Sequence, residues 1–476
     1  MKFSVNTQTI YKKSKIKKNN SNYNIIFETS DNNQTHFNDL VSLENFEKET
    51  LINFIKKKKI FFLLIIWSEE TFIAITDQVA SYNILYEKKE ERVQIYLDKP
   101  KNFKIDKDIA EEIYFSGYTI YNCTFFQNIK SLLPGEFLLI KKDEFKLQKW
   151  NDFQPIYLKF SKNNLNQKFS YLLENEFINI KKNLNNKKIL IPLSSGLDSR
   201  LIVSWAKNFD LEIETFTYGF QNKKDFRVAK EICKKLELKN HTIVMDKKNS
   251  QVYKSDFFKE YLRFRDLGIK VNNFGDFGPL YHLSKSINLK EFLVINGQSG
   301  DFISGNHLPS EIIDSSAKLD KKINDILEFS LDKHFSLWEC DPQTREKFKR
   351  KLGKIYFNNI KNVNDLASKY EIFEFENRQC KWVVGQQNVY DFFNIPWELP
   401  LWKKSVMDFF SYNFIYEDKK KQKFYKEFLI KKNNLNIWKN IPINPKDTFS
   451  LSLSVLRFLF KLSFIFFGKK KWYNFQ

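Results

Sequence analysis

The sequence predicts an α/β protein: a β-rich N-terminal part followed by a C-terminal part built on a doubly wound parallel sheet. Three observations carry the prediction. From Ile189 onward, apolar strand-like runs alternate with amphipathic helical runs, the order that builds parallel βαβ units. The first ~150 residues instead hold short apolar runs separated by turn breaks. The first strand of the alternating region, Ile189-Leu190-Ile191-Pro192-Leu193, leads into a small-residue loop, Ser194-Ser195-Gly196, that opens a helix at about Ser199. A length of 476 residues suits two or three domains, and 42% hydrophobic residues suffice for a full core.

Taken in order, Phe62 to Ile66, Thr71 to Thr76, Val93 to Leu97 and Phe137 to Ile140 read as strands. The apolar run Ile60 to Trp67 is too short to span a bilayer and reads as a buried strand. Phe169, Leu172, Leu173, Phe177 and Ile180 recur at helical spacing, so the domain boundary is placed between Trp150 and Leu165, dividing residues 1–160 from 161–476. The helix after the loop carries Leu201, Ile202 and Trp205. A strand over Leu211 to Thr217 ends at Tyr218-Gly219. Val228, Ala229, Ile232, Cys233 and Leu236 mark the next helix, running from Phe226 to Leu236, and His241 to Met245 and Phe292 to Ile295 are later strands. Beyond Gly305 the chain reads as helical, aromatic and lysine-rich, and no internal repeat is visible.

The formal charge is +21, from 78 Lys+Arg against 57 Asp+Glu, spread along the chain and read as solvated lysine faces before a nucleic-acid stripe. Cys123, Cys233, Cys340 and Cys380 follow no metal-ligand spacing and fit a reducing cytoplasm; Cys123 is placed in a strand or helix start. The N-terminus has no apolar signal core. The tail from Leu451 to Phe467 with Lys469, Lys470 and Lys471 is apolar beside basic, so residues 451–471 read as a C-terminal helix packed on its own domain or as a peripheral contact with an anionic membrane surface.

The loop carries the chemistry. Ser194, Ser195 and Gly196 let the backbone approach a phosphate, the free N–H groups of the helix start point at it, and Asp198 can hold the Mg²⁺ that a nucleotide brings. No Gly-Lys-Ser/Thr ending is present, so this is not a Walker-type loop. It resembles the pyrophosphate loop of ATP pyrophosphatases, which release AMP and pyrophosphate. Under that reading the nucleotide-binding residues are Leu193, Ser194, Ser195, Gly196, Leu197, Asp198 and Ser199.

With its strand order, the chain resembles the asparagine synthetase family, most nearly its divergent members that accompany surface-polysaccharide genes. Ser194 to Ser199 matches the family's Ser-Gly-Gly-x-Asp-Ser loop, with Ser195 replacing a glycine. Phe216-Thr217-Tyr218-Gly219 falls where the family places residues near the nucleotide, and the helix and strand that follow match in order. Asn296-Gly297-Gln298-Ser299-Gly300-Asp301 resembles its Ser-Gly-Glu-Gly-x-Asp segment. The resemblance implies a glutaminase-like, Ntn-hydrolase-like N-terminal domain and a synthetase domain of the adenine nucleotide α hydrolase type. It implies Asn296 and Gly297 at the nucleotide, Asp198 and Asp301 sharing Mg²⁺ on ATP, and catalytic positions at Gln298 and Lys446, the latter in Lys446-Asp447-Thr448-Phe449.

Three departures from the family matter. Its glutamate is Gln298 here, which cannot take a proton. Its arginine and aspartate in Glu-x-Arg-x-Pro-Phe-Leu-Asp become Glu398 and Lys403, charge reversals expected to alter the substrate pocket. Its nucleophilic cysteine after the initiator methionine is Lys2, so residues 1–160 are expected to be a structural remnant without glutaminase chemistry, although Asp77 to Tyr86 and Leu133 to Phe137 keep the outline.

The implied reaction is adenylation of a small carboxylate, then attack by ammonia that is free or supplied by a separate glutaminase. The expected setting is a cytoplasmic enzyme, a homodimer being one assembly the resemblance allows, with no nucleic-acid partner. Two other classes stay open: a catalytically impaired ATP-binding scaffold, and an RNA-modifying enzyme using the same loop.

Overall fold

The computed structural model describes residues 2–6, 13–18, 21–142, 144–157, 164–220, 224–432 and 434–445. The N-terminal strands are β1 (Lys2–Asn6), β2 (Lys13–Lys18), β3 (Ser21–Thr29), β4 (Phe62–Trp67), β5 (Thr71–Thr76), β6 (Leu85–Lys89), β7 (Arg92–Tyr96), β8 (Ile129–Ser131), β9 (Glu136–Lys141) and β10 (Glu144–Lys149). They form a six-stranded antiparallel sheet, ordered β10-β9-β5-β4-β3-β2, and a four-stranded mixed sheet, ordered β1-β7-β6-β8. The continuous apolar run of β4 follows from its burial on both faces. Phe62, Leu64 and Ile66 meet Leu40 of helix α1 (Gln34–Val41) and Leu51, Phe54 and Ile55 of α2 (Lys48–Lys58). Leu63 and Ile65 point the other way, toward Val93 and Ile95 of the second sheet. A further helix, α3 (Lys107–Ser116), is started by Asp106, whose side chain accepts from the Asp108 and Ile109 amides.

Past α4 (Leu165–Lys182), the C-terminal strands are β11 (Lys188–Pro192), β12 (Ile213–Gly219), β13 (Lys239–Val244), β14 (Phe292–Ile295) and β15 (Trp397–Glu398). All are parallel, in the order β13-β12-β11-β14-β15. Helices α5 (Leu197–Asn208) and α6 (Lys224–Leu236) make the crossovers from β11 and β12. The strand order reverses between β11 and β14, which makes the crevice at their carboxyl ends a topological switch point, where α/β sheets bind ligands.

The fold is the expected α/β arrangement with a parallel C-terminal sheet. The boundaries differ by small amounts. Helix α5 begins at Leu197, because Gly196 takes the extended backbone of an N-cap, and α6 starts at Lys224. Cys123 lies in neither a strand nor a helix start; it follows a turn and makes an isolated bridge with Lys130. The four cysteines are free. No helix among the described residues is long and apolar enough to cross a membrane, and the tail 451–471 lies outside them.

The two halves share a core. Trp397 packs on Phe61 and Tyr82 at ring separations of 5.4 and 6.3 Å, and its amide donates to the Ser30 carbonyl. Beside it lie the two reversed charges, which meet each other: Lys403 Nζ is 2.5 Å from Glu398 Oε2, with both side chains buried. They line a cavity of about 30 Å³ with Asp31, Lys59 and Glu176, and neither lines the crevice at the switch point. The two reversed charges therefore meet each other and stand outside the crevice at the switch point. Breaking a buried pair leaves an uncompensated charge, whereas replacing both members does not. Lys403→Met is expected to lower stability by about 3 kcal/mol, and Glu398→Leu with Lys403→Met to recover most of it, by chemical denaturation.

A second buried cation ties the halves. Lys270 pairs across an isolated bridge with Tyr118, and its ammonium donates to the Gly385 carbonyl at 2.7 Å. Burial pushes this ammonium down to about 7. The unfolded lysine keeps its proton to about pH 10, so between these values the unfolded state binds more protons and stability rises with pH. Relative to Lys270→Met, the wild type should gain up to about 1.4 kcal/mol per pH unit across that window in denaturation titrations.

Candidate nucleotide and metal site

A cavity of about 470 Å³ opens at the switch point. Of the residues singled out from sequence, Leu193, Ser194, Asp198, Ser199, Phe216, Thr217, Tyr218, Asn296, Gly297, Gln298 and Asp301 line it. Ser195, Gly196, Leu197 and Gly219 do not. Ser195 and Leu197 are buried beside the loop, and Gly196 caps α5. Lys446 lies outside the described residues.

The N–H groups of the loop itself are engaged. Ser194 donates to Ser199 Oγ at 3.1 Å, Ser195 to Asp225 Oδ1 at 2.7 Å, and Gly196 to Ser194 Oγ at 3.2 Å. Short hydroxyl and carboxylate side chains satisfy the exposed amides of a tight turn in this way. Asp225 thus places a carboxylate oxygen on an amide suited to a phosphate oxygen. The first turn of α5 carries no side-chain cap, which leaves its dipole end turned toward the crevice.

Asp198 is the centre of the site. The segment after β14 presses on it: a Cβ at Gly297 would meet the Asp198 carbonyl carbon at 2.7 Å and the Ser199 nitrogen at 2.9 Å, and a Cβ at Gly300 would collide with the Asp198 carboxylate. Glycine at both positions lets the Asp301 amide donate to Asp198 Oδ2 at 3.1 Å. The Tyr425 hydroxyl donates to Oδ1 at 2.9 Å. Burial, then the charge of Asp301, pushes the Asp198 carboxyl up to about 7. Asp301, half-buried, is held low by hydrogen bonding and charge from His307 against its partial desolvation. Two carboxylates that cannot comfortably ionise together are a donor set suited to a divalent cation. Among the described residues no group of three or more His, Cys, Asp or Glu is arranged to hold a metal ion by itself, so Mg²⁺ here would take its other ligands from phosphate and water.

The rest of the wall is polar. Gln298 donates from Nε2 to Gln386 Oε1 at 2.9 Å and accepts at Oε1 from Gln387 Nε2 at 2.9 Å. Asp276 accepts from the hydroxyls of Tyr218 and, at 2.7 Å, Tyr390; burial raises its pKa. Sequence reading missed Asp225, Asp276, Gln386 and Tyr425. Asp225 and Asp276 lie in loop or helix-start segments without a motif, and Gln386 and Tyr425 come from distant helical turns.

The C-terminal segment is anchored on the loop. Arg200, fully buried, donates to the carbonyls of Ile437 and Ile441 at 2.8 Å and of Pro442 at 3.0 Å. The Asn444 amide donates to the Ser195 carbonyl at 3.1 Å.

Residues 184–361 match the asparagine synthase family, so the chain carries an asparagine synthase domain. A 64-residue stretch is 41% identical to the 7-cyano-7-deazaguanine synthase of Staphylococcus epidermidis; it spans 29% of that enzyme's length and 13% of this chain. Similar solved structures include an NH3-dependent NAD synthetase from Campylobacter jejuni (18% identity, 41% of this chain, 95% of that one, TM-score 0.23). An NMN synthetase from Francisella tularensis is also similar (16% identity, 48% and 97% covered, TM-score 0.24). So is the glutamine phosphoribosylpyrophosphate amidotransferase of B. subtilis (13% identity, 75% and 78% covered, TM-score 0.21).

Gly297→Ala should drive the segment off Asp198, cost about 1–3 kcal/mol through overpacking, and abolish Mg·ATP binding. Denaturation and calorimetry on the same variant check both effects.

Proposed function

We propose that the chain is an ATP-dependent amide-forming ligase that adenylates a small carboxylate and transfers ammonia to it. The observation that carries this reading is that Asp198 and Asp301, from separate strand ends, line one cavity at an uncapped helix start, the Asp301 amide donating to Asp198, within the stretch that matches the asparagine synthase family.

In this mechanism Ser194, Ser199 and the first turn of α5 receive the β- and γ-phosphates, and Asp225 gives up the Ser195 amide as they enter. Mg²⁺ held by Asp198 and Asp301 would neutralise charge on the departing pyrophosphate. A carboxylate oxygen of the substrate attacks the α-phosphorus as the bond to pyrophosphate breaks, giving an acyl-adenylate. Ammonia then attacks the acyl carbon, AMP departs with the bonding pair, the attacking nitrogen gives up one proton to the departing phosphate or to water, and an amide remains. Gln298 orients rather than deprotonates, since both ends of its amide are engaged and it has no basic oxygen. Lys446 is assigned the charge on the adenylated carboxyl. Support for that assignment comes from Asn444, two residues earlier, tied to Ser195 beneath the Arg200 clamp.

We assign residues 1–160 a structural role, with ammonia free or delivered by a separate glutaminase. Asp77 supports this: it is fully buried, and its carboxylate is consumed by the amides of Phe62, Val79 and Ser81 and the Ser81 hydroxyl. The acyl substrate is assigned only as a small carboxylate, aspartate or a sugar acid among them.

Calorimetry with Mg·ATP on wild type and on Asp198→Ala with Asp301→Ala tests the reading. Binding that weakens at least about tenfold in the double variant, followed by pyrophosphate release with some carboxylate and ammonium, is expected. A folded wild type that binds no nucleotide overturns it.

A further inference from the structure

One cluster beside the cavity has no part in the mechanism so far. His307 stands between two carboxylates. Its Nε2 faces Asp301 Oδ2 at 3.0 Å, and its Nδ1 faces Glu374 Oε1 in a short hydrogen bond. The outer carboxylate is far more firmly held than a solvent-facing one. The Glu374 side chain has no exposed surface, and it accepts from Lys333 Nζ at 2.8 Å, the Tyr370 hydroxyl at 2.9 Å and Gln379 Nε2 at 3.1 Å. Glu374 immediately precedes a nine-residue π-helical stretch, Phe375–Val383. The wider π turn brings residues five apart onto one face, which is how Gln379 reaches Glu374. On the inner side, Asp301 Oδ1 accepts from the Phe302 amide at 2.8 Å, so hydrogen bonds fix its carboxylate at both oxygens.

We propose that His307, braced by Glu374, is the positioning residue that sets the orientation of Asp301 toward the divalent cation shared with Asp198. The inference rests on the ligase reading above, since it presumes that Asp301 holds a metal there. Its physical basis is that outer partners orienting a metal ligand matter nearly as much as the ligand itself. Rotating the Asp301 carboxyl about its last bond would cost both of its hydrogen bonds, and the imidazole cannot follow such a rotation without leaving Glu374. The nitrogen that matters is Nε2, the one facing Asp301; Nδ1 serves only to lock the ring.

That asymmetry supplies the test. Glutamine extends its amide nitrogen to about the place of Nε2, whereas asparagine reaches only as far as Nδ1. Both replacements are neutral, polar and smaller than histidine. Full-length wild type, His307→Gln and His307→Asn are titrated with Mn²⁺ in the presence of α,β-methylene ATP and followed by electron paramagnetic resonance, with thermal melts alongside. His307→Gln should bind Mn²⁺ within about threefold of wild type, and His307→Asn about tenfold or more weakly. With substrate, His307→Asn should release pyrophosphate more slowly at saturating ATP while the KM for ATP stays near that of wild type. Equal Mn²⁺ affinity in all three proteins overturns the proposal, as does equal loss in the two variants, which would mark His307 as a packing residue. A folded wild type that binds neither Mn²⁺ nor the nucleotide instead overturns the ligase reading itself, so the two failures are distinct.

Discussion

The geometry of the site depends on how closely the segment after β14 can approach the first turn of α5. A side chain at Gly297 or Gly300 would occupy the volume of the Asp198 backbone or carboxylate. With glycine at both positions, one amide and one phenol converge on Asp198, and Asp198 and Asp301 come to line one cavity. Protein interiors pack too densely for such a contact to be loosened by a few tenths of an ångström without something else moving. The parallel sheet supplies the frame: only adjacency of β11 and β14 at the reversal of strand order brings these two segments together.

Electrostatics at the crevice run opposite to those of the whole chain. The formal charge is +21, yet the cavity is lined by Asp198, Asp225, Asp276 and Asp301. Global charge therefore says little about this pocket; local field and desolvation decide it. Each carboxylate has its own means of remaining there. Asp225 accepts a loop amide, Asp276 accepts two phenols, and Asp301 faces His307, while Asp198 is pushed up by burial and by the charge of its neighbour. A cation relieves that repulsion directly.

Much of this was legible in the sequence where the signal is local. The strand, small-residue loop and helix at Ile189 to Trp205 announce themselves by periodicity and composition, and so does the alternation through Ile295. What escaped was long-range. Tyr425 lies 227 residues from Asp198, and Glu374 67 residues from His307. No spacing rule links such pairs; only the fold does. His307, six residues past Asp301, belongs to no motif, and its place in the site depends on a carboxylate brought by a distant helix. The partner of one loop amide was hidden for a related reason: Asp225 reaches it from the start of the next crossover helix.

The departures that suggest relaxed constraint look different once their partners are seen. Either Glu398 or Lys403 with its counterpart's charge unreversed would set two like charges together in a buried space, so the two changes form one physical unit. Gln298 behaves similarly. Its amide both donates to Gln386 and accepts from Gln387, a pattern that a carboxylate, which only accepts, cannot reproduce. A glutamate there would turn Gln386 around or leave its oxygen unmet. Donors and acceptors are matched on either side of this neutral side chain, so Gln298 is a satisfied member of the wall rather than a gap in it, and the polar lining beside Asp198 and Asp301 is internally consistent.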